Sequence, residues 1–390
     1  MKKLTTTILA VTFAFSFTQA QKLPSRATIL QAMETANDYF IAENPDPGKP
    51  TFVKKERPSN LWTRGVYFEG LKELTELEYV AQGKKAGTYR RYIMEWGNAH
   101  KWTPRNGVTT KDADDYCCSQ TYIDMYLITG AEGDSHNTFM IEPTRQCMTN
   151  LLSRGNGDWT WIDVIEMGLP VLAKLARAEY IVEKKVSTQW LDKGWKMYTW
   201  SRDTLAGGLF NRQDGLWWRD KDFVPPYVEP NGEDCYWSRG NGWVFSALCR
   251  TMNYLQPTDK FYTQLLSDYK AMAKALIQIQ REDGFWNPSL VSQDFAGPEF
   301  TGTAQFFYGL SWGVNRGILN KKVYMPAINK AWNALKSSIH KDGFIGYVQG
   351  SGDRPASSQP IDYNREPDFD DYGLGLFLQG AMEYRKLLLK

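Results

Sequence analysis

The chain contains few of the residues that most often build metal sites and nucleophilic triads. Its three histidines, His100, His136 and His340, are scattered through 390 residues. None has a second histidine, a cysteine or an acidic pair nearby at ligand spacing, so neither a zinc centre nor a Ser-His-Asp triad is expected. The sequence therefore predicts no metal and no cofactor, and carboxylates have to supply any acid–base chemistry.

Cysteine is also scarce and its spacing is uninformative. The five cysteines are Cys117, Cys118, Cys147, Cys235 and Cys249. Because the number is odd, at least one is unpaired, and no C-x-x-C motif suggests a metal or redox site. They are expected to be small core residues.

The chain lacks an excess of either charge. Lys and Arg total 46 against 44 Asp and Glu, with no basic run in the mature part, so binding to nucleic acid is not expected. Aromatic residues, by contrast, are abundant, with 15 Trp, 21 Tyr and 19 Phe. They are either faces on which sugar rings stack or simply part of a large helical core, and composition leaves both interpretations open.

Long apolar runs are missing apart from one at the start of the chain. Lys2 and Lys3 precede an apolar run over 8–17, and small residues end at Ala20, a pattern typical of a secretory signal. We therefore expect residues 1–20 to be removed and the protein to be periplasmic or secreted. The run is too short to span a bilayer and no cysteine follows it, so no membrane anchor is expected.

A weak repeat organises the mature chain. In each copy, a loop with Gly or an aromatic residue leads into an apolar stretch, and the copies lie roughly 60 residues apart, the length of two helices and their connections. The six copies begin near Trp62, Tyr116, Trp161, Trp237, Glu299 and Asp370. With no Pro/Gly/Ser-rich linker, they predict an all-α (α/α)6 toroid forming a single domain over 21–390, a monomer or weak oligomer.

The helical period is clearest after the fourth of these starts. Val244, Leu248, Met252 and Leu255 recur at spacings of four, four and three residues, which places them on one helix face and excludes a strand. After the third start, Pro170 lacks an amide donor and is expected to kink the helix or begin a new one.

Asp163 is the strongest candidate for catalysis. It lies among tryptophans, β-branched residues and a methionine in the stretch 159–170. Apolar surroundings disfavour the charged form of a carboxyl group and raise its pKa, so it can hold a proton near neutral pH as a general acid must. The alternative is a helix-capping aspartate, because Asp is common in first turns.

Several motifs along the chain carry a family resemblance. They are TRGVYFEGL (63–71), DDYCCSQTYIDMY (114–126), WIDVIEM (161–167), WSRGNGW (237–243), TGTAQFFYGLSWGV (301–314) and GYVQGSGDRP (346–355). In their order and spacing they resemble the unsaturated glucuronyl and rhamnogalacturonyl hydrolases of glycoside hydrolase family 105. The resemblance covers nearly the whole mature chain and implies an (α/α)6 barrel that hydrates the 4,5 double bond of a terminal unsaturated uronic acid on an oligosaccharide.

The resemblance also implies roles for individual residues. The catalytic aspartate of the family falls on Asp163, and its second carboxylate falls on the pair Asp114 and Asp115. Asp115 is favoured as the second catalytic residue because it keeps the spacing to Ser119-Gln120, and Asp114 is left as a substrate-binding residue. On the residues alone, a helix N-cap is about as good an account of Asp115.

The pocket-lining positions that the resemblance implies are Trp161, Met167, Arg239 and Trp243. Arg239 is suited to bind a substrate carboxylate or hydroxyl, and Trp243 to stack on a sugar. A histidine of the family is missing before WSRGNGW, so its role is either absent from this chain or passes to Arg219, which is counted among the substrate-binding residues. An ordinary two-carboxylate glycosidase and a non-catalytic glycan-binding protein are the alternatives.

Overall fold

The computed structural model describes residues 23–52, 56–80, 86–131, 137–367 and 371–389. The predicted export signal, His136 and Asp370 lie outside these ranges, so export remains a prediction. The elements, in chain order, are α1 (Arg26–Glu43), β1 (Thr51–Phe52), β2 (Glu56–Arg57), α2 (Trp62–Val80), α3 (Ala86–Ala99), α4 (Ala113–Tyr116), α5 (Ser119–Ala131), a 3-10 turn (Thr138–Met140), α6 (Glu142–Leu152), α7 (Asp163–Ala178), a π-turn (Glu179–Glu183), α8 (Thr188–Asp203), a 3-10 turn (Leu205–Gly207), β3 (Phe210–Asn211), β4 (Leu216–Trp217), α9 (Ser238–Met252), α10 (Tyr262–Gln278), α11 (Phe300–Asn315), α12 (Lys321–Ser337) and α13 (Asp371–Leu387).

The helices alternate between an outer and an inner ring. The outer ring is α1, α3, α6, α8, α10 and α12, and the inner ring is α2, α5, α7, α9, α11 and α13. Each inner helix packs against the next, and α13 closes the ring against α2. Inner helices such as α9 and α11 are buried on every side, whereas outer helices such as α10 bury one face. This is the predicted (α/α)6 toroid.

The repeat in the sequence located the inner helices well. They begin at Trp62, Ser119, Asp163, Ser238 and Phe300, each within three residues of a predicted start, and the last begins at Asp371. All inner helices therefore run in the same direction, and their N-terminal ends meet at one rim of the barrel. The positive ends of six helix dipoles face that rim, which favours negative charge there.

The expected break at Pro170 does not occur, and α7 continues through it to Ala178. A proline inside a helix leaves the carbonyl four residues earlier without its usual amide donor. That carbonyl belongs to Glu166, and the side chain of Gln120 on α5 donates to it at 2.8 Å from Nε2. The neighbouring helix thus supplies the missing hydrogen bond, and the helix stays intact.

The cysteines are core residues, as expected: all five are buried and free. No helix within the described ranges combines the length and the apolar character needed to cross a bilayer.

The closest helix crossing gives a first test of the fold. A Cβ on Gly375 of α13 would lie 2.6 Å from Cα of Tyr67 on α2, and one on Gly70 would lie 2.7 Å from Cα of Gly375. Both obstacles are backbone, so a larger side chain has to push the helices apart. We expect Gly375→Ala to lower the free energy of unfolding by about 1–3 kcal/mol or more, measured by urea denaturation.

Gly130 provides the matched control for that substitution. It lies in α5, and a Cβ built there meets nothing within 4 Å. Gly130→Ala should therefore be neutral or stabilise by up to about 1 kcal/mol, because alanine loses less backbone entropy in a helix. Equal losses in the two variants would contradict the close crossing.

Candidate active site

The rim where the inner helices begin carries the candidate site, and Asp163 is the first residue of α7. The preceding segment pairs with the strand that follows β4: Trp161 forms an antiparallel bridge with Asp220, and the amide of Ile162 donates to the carbonyl of Arg219 at 2.9 Å. This pairing brings Arg219, 56 residues away in sequence, against Asp163.

The carboxylate of Asp163 is nearly buried and has a single close cation. The residue is 9% exposed, and Nε of Arg219 donates to its Oδ2 at 3.3 Å. Burial raises the pKa of Asp163, while the charges of Arg219 and Arg239 oppose that rise. Asp163 does not act as the helix cap, because Ile162 occupies that position.

Arg219 is held from its other side by Asp220. Its Nη1 donates to Oδ2 of Asp220 at 2.7 Å, and the second oxygen of Asp220 accepts the amide of Asp222 at 2.8 Å. The side chain of Arg219 remains 20% exposed, so one edge of the guanidinium is open to the rim. Asp220 was not singled out in the sequence, although its place directly after Arg219 was a usable signal.

The structure gives the two aspartates before α5 different surroundings. Asp115 is buried, and its carboxylate accepts hydrogen bonds from Arg105 at 2.7 Å, Asn106 at 3.0 Å and Thr110 at 2.5 Å. Through these three bonds it fixes the loop before α4. It is not an N-cap either, since Asp112 caps α4.

Asp114, the other member of the pair, is half-buried and is close enough to Asp163 for its charge to raise the pKa of Asp114. Burial, reinforced by the negative charges of Asp112, Asp163 and Asp115, raises the pKa of Asp114 to about 8, and Arg219 opposes the rise. At neutral pH its carboxyl group therefore carries a proton and can donate a hydrogen bond. Asp114 thus interacts electrostatically with Asp163, whereas Asp115 is bound by its own loop, and which of the two is the second carboxylate of the site stays a prediction.

Arg239, predicted to bind substrate, is buried beside the loop after Val348. It is 1% exposed, and its guanidinium donates to the carbonyls of Gln349 at 2.7 Å and Gly350 at 2.9 Å. It also lies over the ring of Trp237, 4.5 Å from the centroid. Arg239 therefore supports the loop after Val348 through its two terminal nitrogens and contributes positive charge near Asp163, while its Nε has no hydrogen-bond partner among the described residues.

Gln349 completes that support and was missed in the sequence. Its Oε1 accepts from the indole of Trp237 at 2.9 Å, and its Nε2 donates to the carbonyls of Arg354, Pro355 and Ser357, at 2.8 Å in the last case. The motif GYVQGSGDRP contained this residue without revealing its function. A buried amide with this many backbone partners fixes the loop that carries Asp353 and Arg354.

The aromatic and apolar residues predicted to line the pocket differ in how much of their surface is exposed. Trp161 is half-buried, whereas Met167, one turn after Asp163, and Trp243 are each 1% exposed. Trp243 meets Trp62 edge to face with ring centroids 5.8 Å apart, and Trp62 is the half-buried partner. Trp243 therefore supports Trp62, which the sequence marked only as a helix start and which is better placed to stack on a sugar.

Within the described part of the chain, no group of three or more His, Cys, Asp and Glu side chains is arranged to hold a metal ion.

Comparison with known proteins finds a matching family model, a similar curated sequence and a similar solved structure. Residues 32–388 match the family model described as Glycosyl Hydrolase Family 88. A curated relative from Alteromonas sp., named unsaturated 3S-rhamnoglycuronyl hydrolase, is 30% identical over 379 residues, covering 90% of this chain and 84% of the relative. A solved structure, glycosyl hydrolase family 88 from Bacteroides vulgatus, has a TM-score of 0.79 and 28% identity, covering 93% of this chain and 99% of its own.

A more distant structure shares the fold alone. A possible member of family 105 from Salmonella enterica has a TM-score of 0.71 at 16% identity, covering 98% of this chain and all of its own.

Proposed function

Because this chain belongs to glycosyl hydrolase family 88, we propose that it removes a 4,5-unsaturated uronic acid from the non-reducing end of an oligosaccharide by hydrating the double bond. The supporting observation is one nearly buried carboxyl group, Asp163, set between an arginine and a second carboxyl group at the rim of the barrel. A proton donor, a group to bind a uronate and a second acid are the parts that this reaction needs.

Asp163 is the proposed general acid. Its proton is added to C4 of the enol ether, and positive charge develops at C5, stabilised by the ring oxygen. Water then adds at C5 and returns its proton to the carboxylate, so Asp163 ends the cycle protonated. The hemiketal formed at C5 opens and releases the neighbouring sugar, with no attack at the anomeric carbon.

The other residues of the rim have binding roles. Arg219 offers the open edge of its guanidinium to the substrate carboxylate, a pairing that planar guanidinium groups favour. Protonated Asp114 donates a hydrogen bond to a ring hydroxyl or to the incoming water. Trp62 and Trp161 form the aromatic wall against which the sugar lies.

The name of the Alteromonas relative guides the choice of substrates. That name combines rhamnose with an unsaturated uronic acid. We propose that rhamnose is the sugar that this chain releases. A panel of lyase-generated disaccharides that differ only in the leaving sugar would test this choice.

The reaction itself can be followed by the ultraviolet absorbance of the conjugated double bond. We expect that absorbance to fall when the enzyme meets a lyase-generated oligosaccharide, with no turnover of the saturated glycoside. In heavy-oxygen water the new oxygen should appear at C5 of the uronic product. Label at the anomeric carbon would instead indicate an ordinary two-carboxylate glycosidase.

A further inference from the structure

The two hydrogen bonds of Arg219 are unequal. Nη1 is 2.7 Å from Oδ2 of Asp220, whereas Nε is 3.3 Å from Oδ2 of Asp163, at the long limit for such a bond. Among the described residues, Nη2 has no hydrogen-bond partner. The guanidinium is therefore anchored to Asp220 and only loosely joined to Asp163.

The anchor is itself rigid. Asp220 is 8% exposed, accepts the amide of Asp222 at 2.8 Å, and pairs through its backbone with Trp161. The guanidinium can thus turn about a fixed point without leaving the rim. A small rotation would exchange the weak bond to Asp163 for a bond to a ligand.

The pairing with Asp163 conflicts with general acid catalysis. A carboxylate beside an arginine is stabilised in its charged form, which lowers its pKa, whereas a general acid must hold a proton. The titratable and charged groups that act on or near Asp163 are Arg219 from the segment after β4, Arg239 from α9 and Asp114 from α4. Asp220 and Asp353 act on Arg219 from two loops.

Only one of these charges is free to leave Asp163. The charge of Arg239 is fixed by its bonds to the carbonyls of Gln349 and Gly350. Asp114 adds no positive charge beside Asp163, because its own raised pKa keeps its carboxyl group protonated. Withdrawal of Arg219 would therefore remove the main mobile obstacle to protonation.

We propose that Arg219 moves between Asp163 in the free enzyme and the carboxylate of the bound uronic acid, so that substrate binding itself causes Asp163 to take up the proton it donates. The proposal rests on the proposed function for the identity of the ligand. In this scheme Arg219 recognises the carboxylate of the uronic acid, and that same binding event causes Asp163 to become protonated. It also gives Asp220 a positioning role, because Asp220 keeps the guanidinium at the rim in both states.

The direct test is proton uptake on binding. The probe is the methyl glycoside of glucuronic acid, which carries the carboxylate but has no double bond to react. Calorimetry at pH 8 in buffers of different ionisation enthalpy should show uptake approaching one proton per bound probe. By linkage, its affinity should fall by up to about tenfold per pH unit in the range where Asp163 is ionised in the free enzyme.

Two variants separate the parts of the proposal. Asp163→Asn removes the competitor for Arg219, so the probe should bind several-fold more tightly than to the parent at pH 8, with no proton uptake. Arg219→Met should weaken binding of the probe by about 10- to 100-fold, because it removes a charge-assisted hydrogen bond.

Arg212→Gln is the matched control. Arg212 also pairs with an aspartate, Asp203 at 2.6 Å, but on the exposed surface. Neither the affinity for the probe nor the proton uptake should change in this variant.

Binding to the parent without proton uptake, together with equal affinity in Asp163→Asn, would overturn the proposal. If the probe binds too weakly to measure, the substrate answers the same question. The basic limb of kcat must then lie at higher pH than the basic limb of kcat/KM, and coincident limbs would count against the proposal. A different result would contradict the proposed function itself: no oligosaccharide of the panel would lose its ultraviolet absorbance when the enzyme is added.

Discussion

Asp163→Asn should lower kcat by about 10² to 10⁴, the usual contribution of a general acid, because asparagine keeps the shape of the side chain and removes the transferable proton. KM should not rise, since the substrate is bound by Arg219, Asp114 and the aromatic wall rather than by Asp163. Steady-state kinetics on a lyase-generated oligosaccharide, followed by ultraviolet absorbance, provide the measurement. A variant with near-parental kcat would return the ordinary glycosidase to first place.

Substitutions of Asp114 and Asp115 test which of the two is the second carboxylate of the site. Asp114→Asn should lower kcat while leaving the melting temperature almost unchanged, because Asp114 interacts electrostatically with Asp163. Asp115→Asn should lower the melting temperature, since the carboxylate holds Arg105, Asn106 and Thr110. The opposite pattern would restore Asp115 to the catalytic role.

Arg250→Leu is expected to have the largest effect on stability, about 3–5 kcal/mol, because it removes a buried cation and leaves the buried polar groups that it binds without a partner. Arg250 on α9 contacts Glu69 of α2, and its Nε lies 3.0 Å from Oε1 of Glu166 of α7. It also donates at 2.8 Å to Gln120 of α5 and to Gln379 of α13. One side chain thus joins five of the six inner helices. A loss of this size is a large part of a typical folding free energy, and urea denaturation would measure it.

Glu166→Gln is the matched control for that substitution. Burial raises the pKa of Glu166 to about 8, and it raises the pKa of Glu69 as well. A group protonated in the fold but ionised when unfolded makes stability fall as pH rises, here between about pH 5 and pH 8. Glu166→Gln should cost little at pH 7 and should flatten that decline. A variant as unstable as Arg250→Leu at pH 7 would contradict this account of the cluster.

The fold was predictable because its signal is local. Each inner helix follows a loop that contains Gly or an aromatic residue. The helix itself shows an apolar pattern of helical period, as in 238–252. Burial on all sides leaves such segments no alternative to a central position. The motif around Asp163 likewise placed a carboxyl group among apolar residues, which is a property of neighbours in sequence.

The division of labour among the polar residues was not predictable, because it depends on partners far away in sequence. Asp114 and Asp115 are adjacent, but successive residues on a helical turn point about 100° apart, and only the packed loop decides which interacts with Asp163. Arg239 is occupied by carbonyls 110 and 111 residues further on.

The sequence by itself determined the alternating helices, the starts of the inner ring and the apolar surroundings of Asp163. Each of these follows from residues within a turn or two of one another. Tertiary structure decided that Gln120 supplies the missing hydrogen bond at Pro170, that Asp220 anchors Arg219, and that Arg239 binds the carbonyls of Gln349 and Gly350. The physical reason is that helical period depends on local spacing, whereas the partner of a buried polar group is chosen by whichever chain segment packs against it.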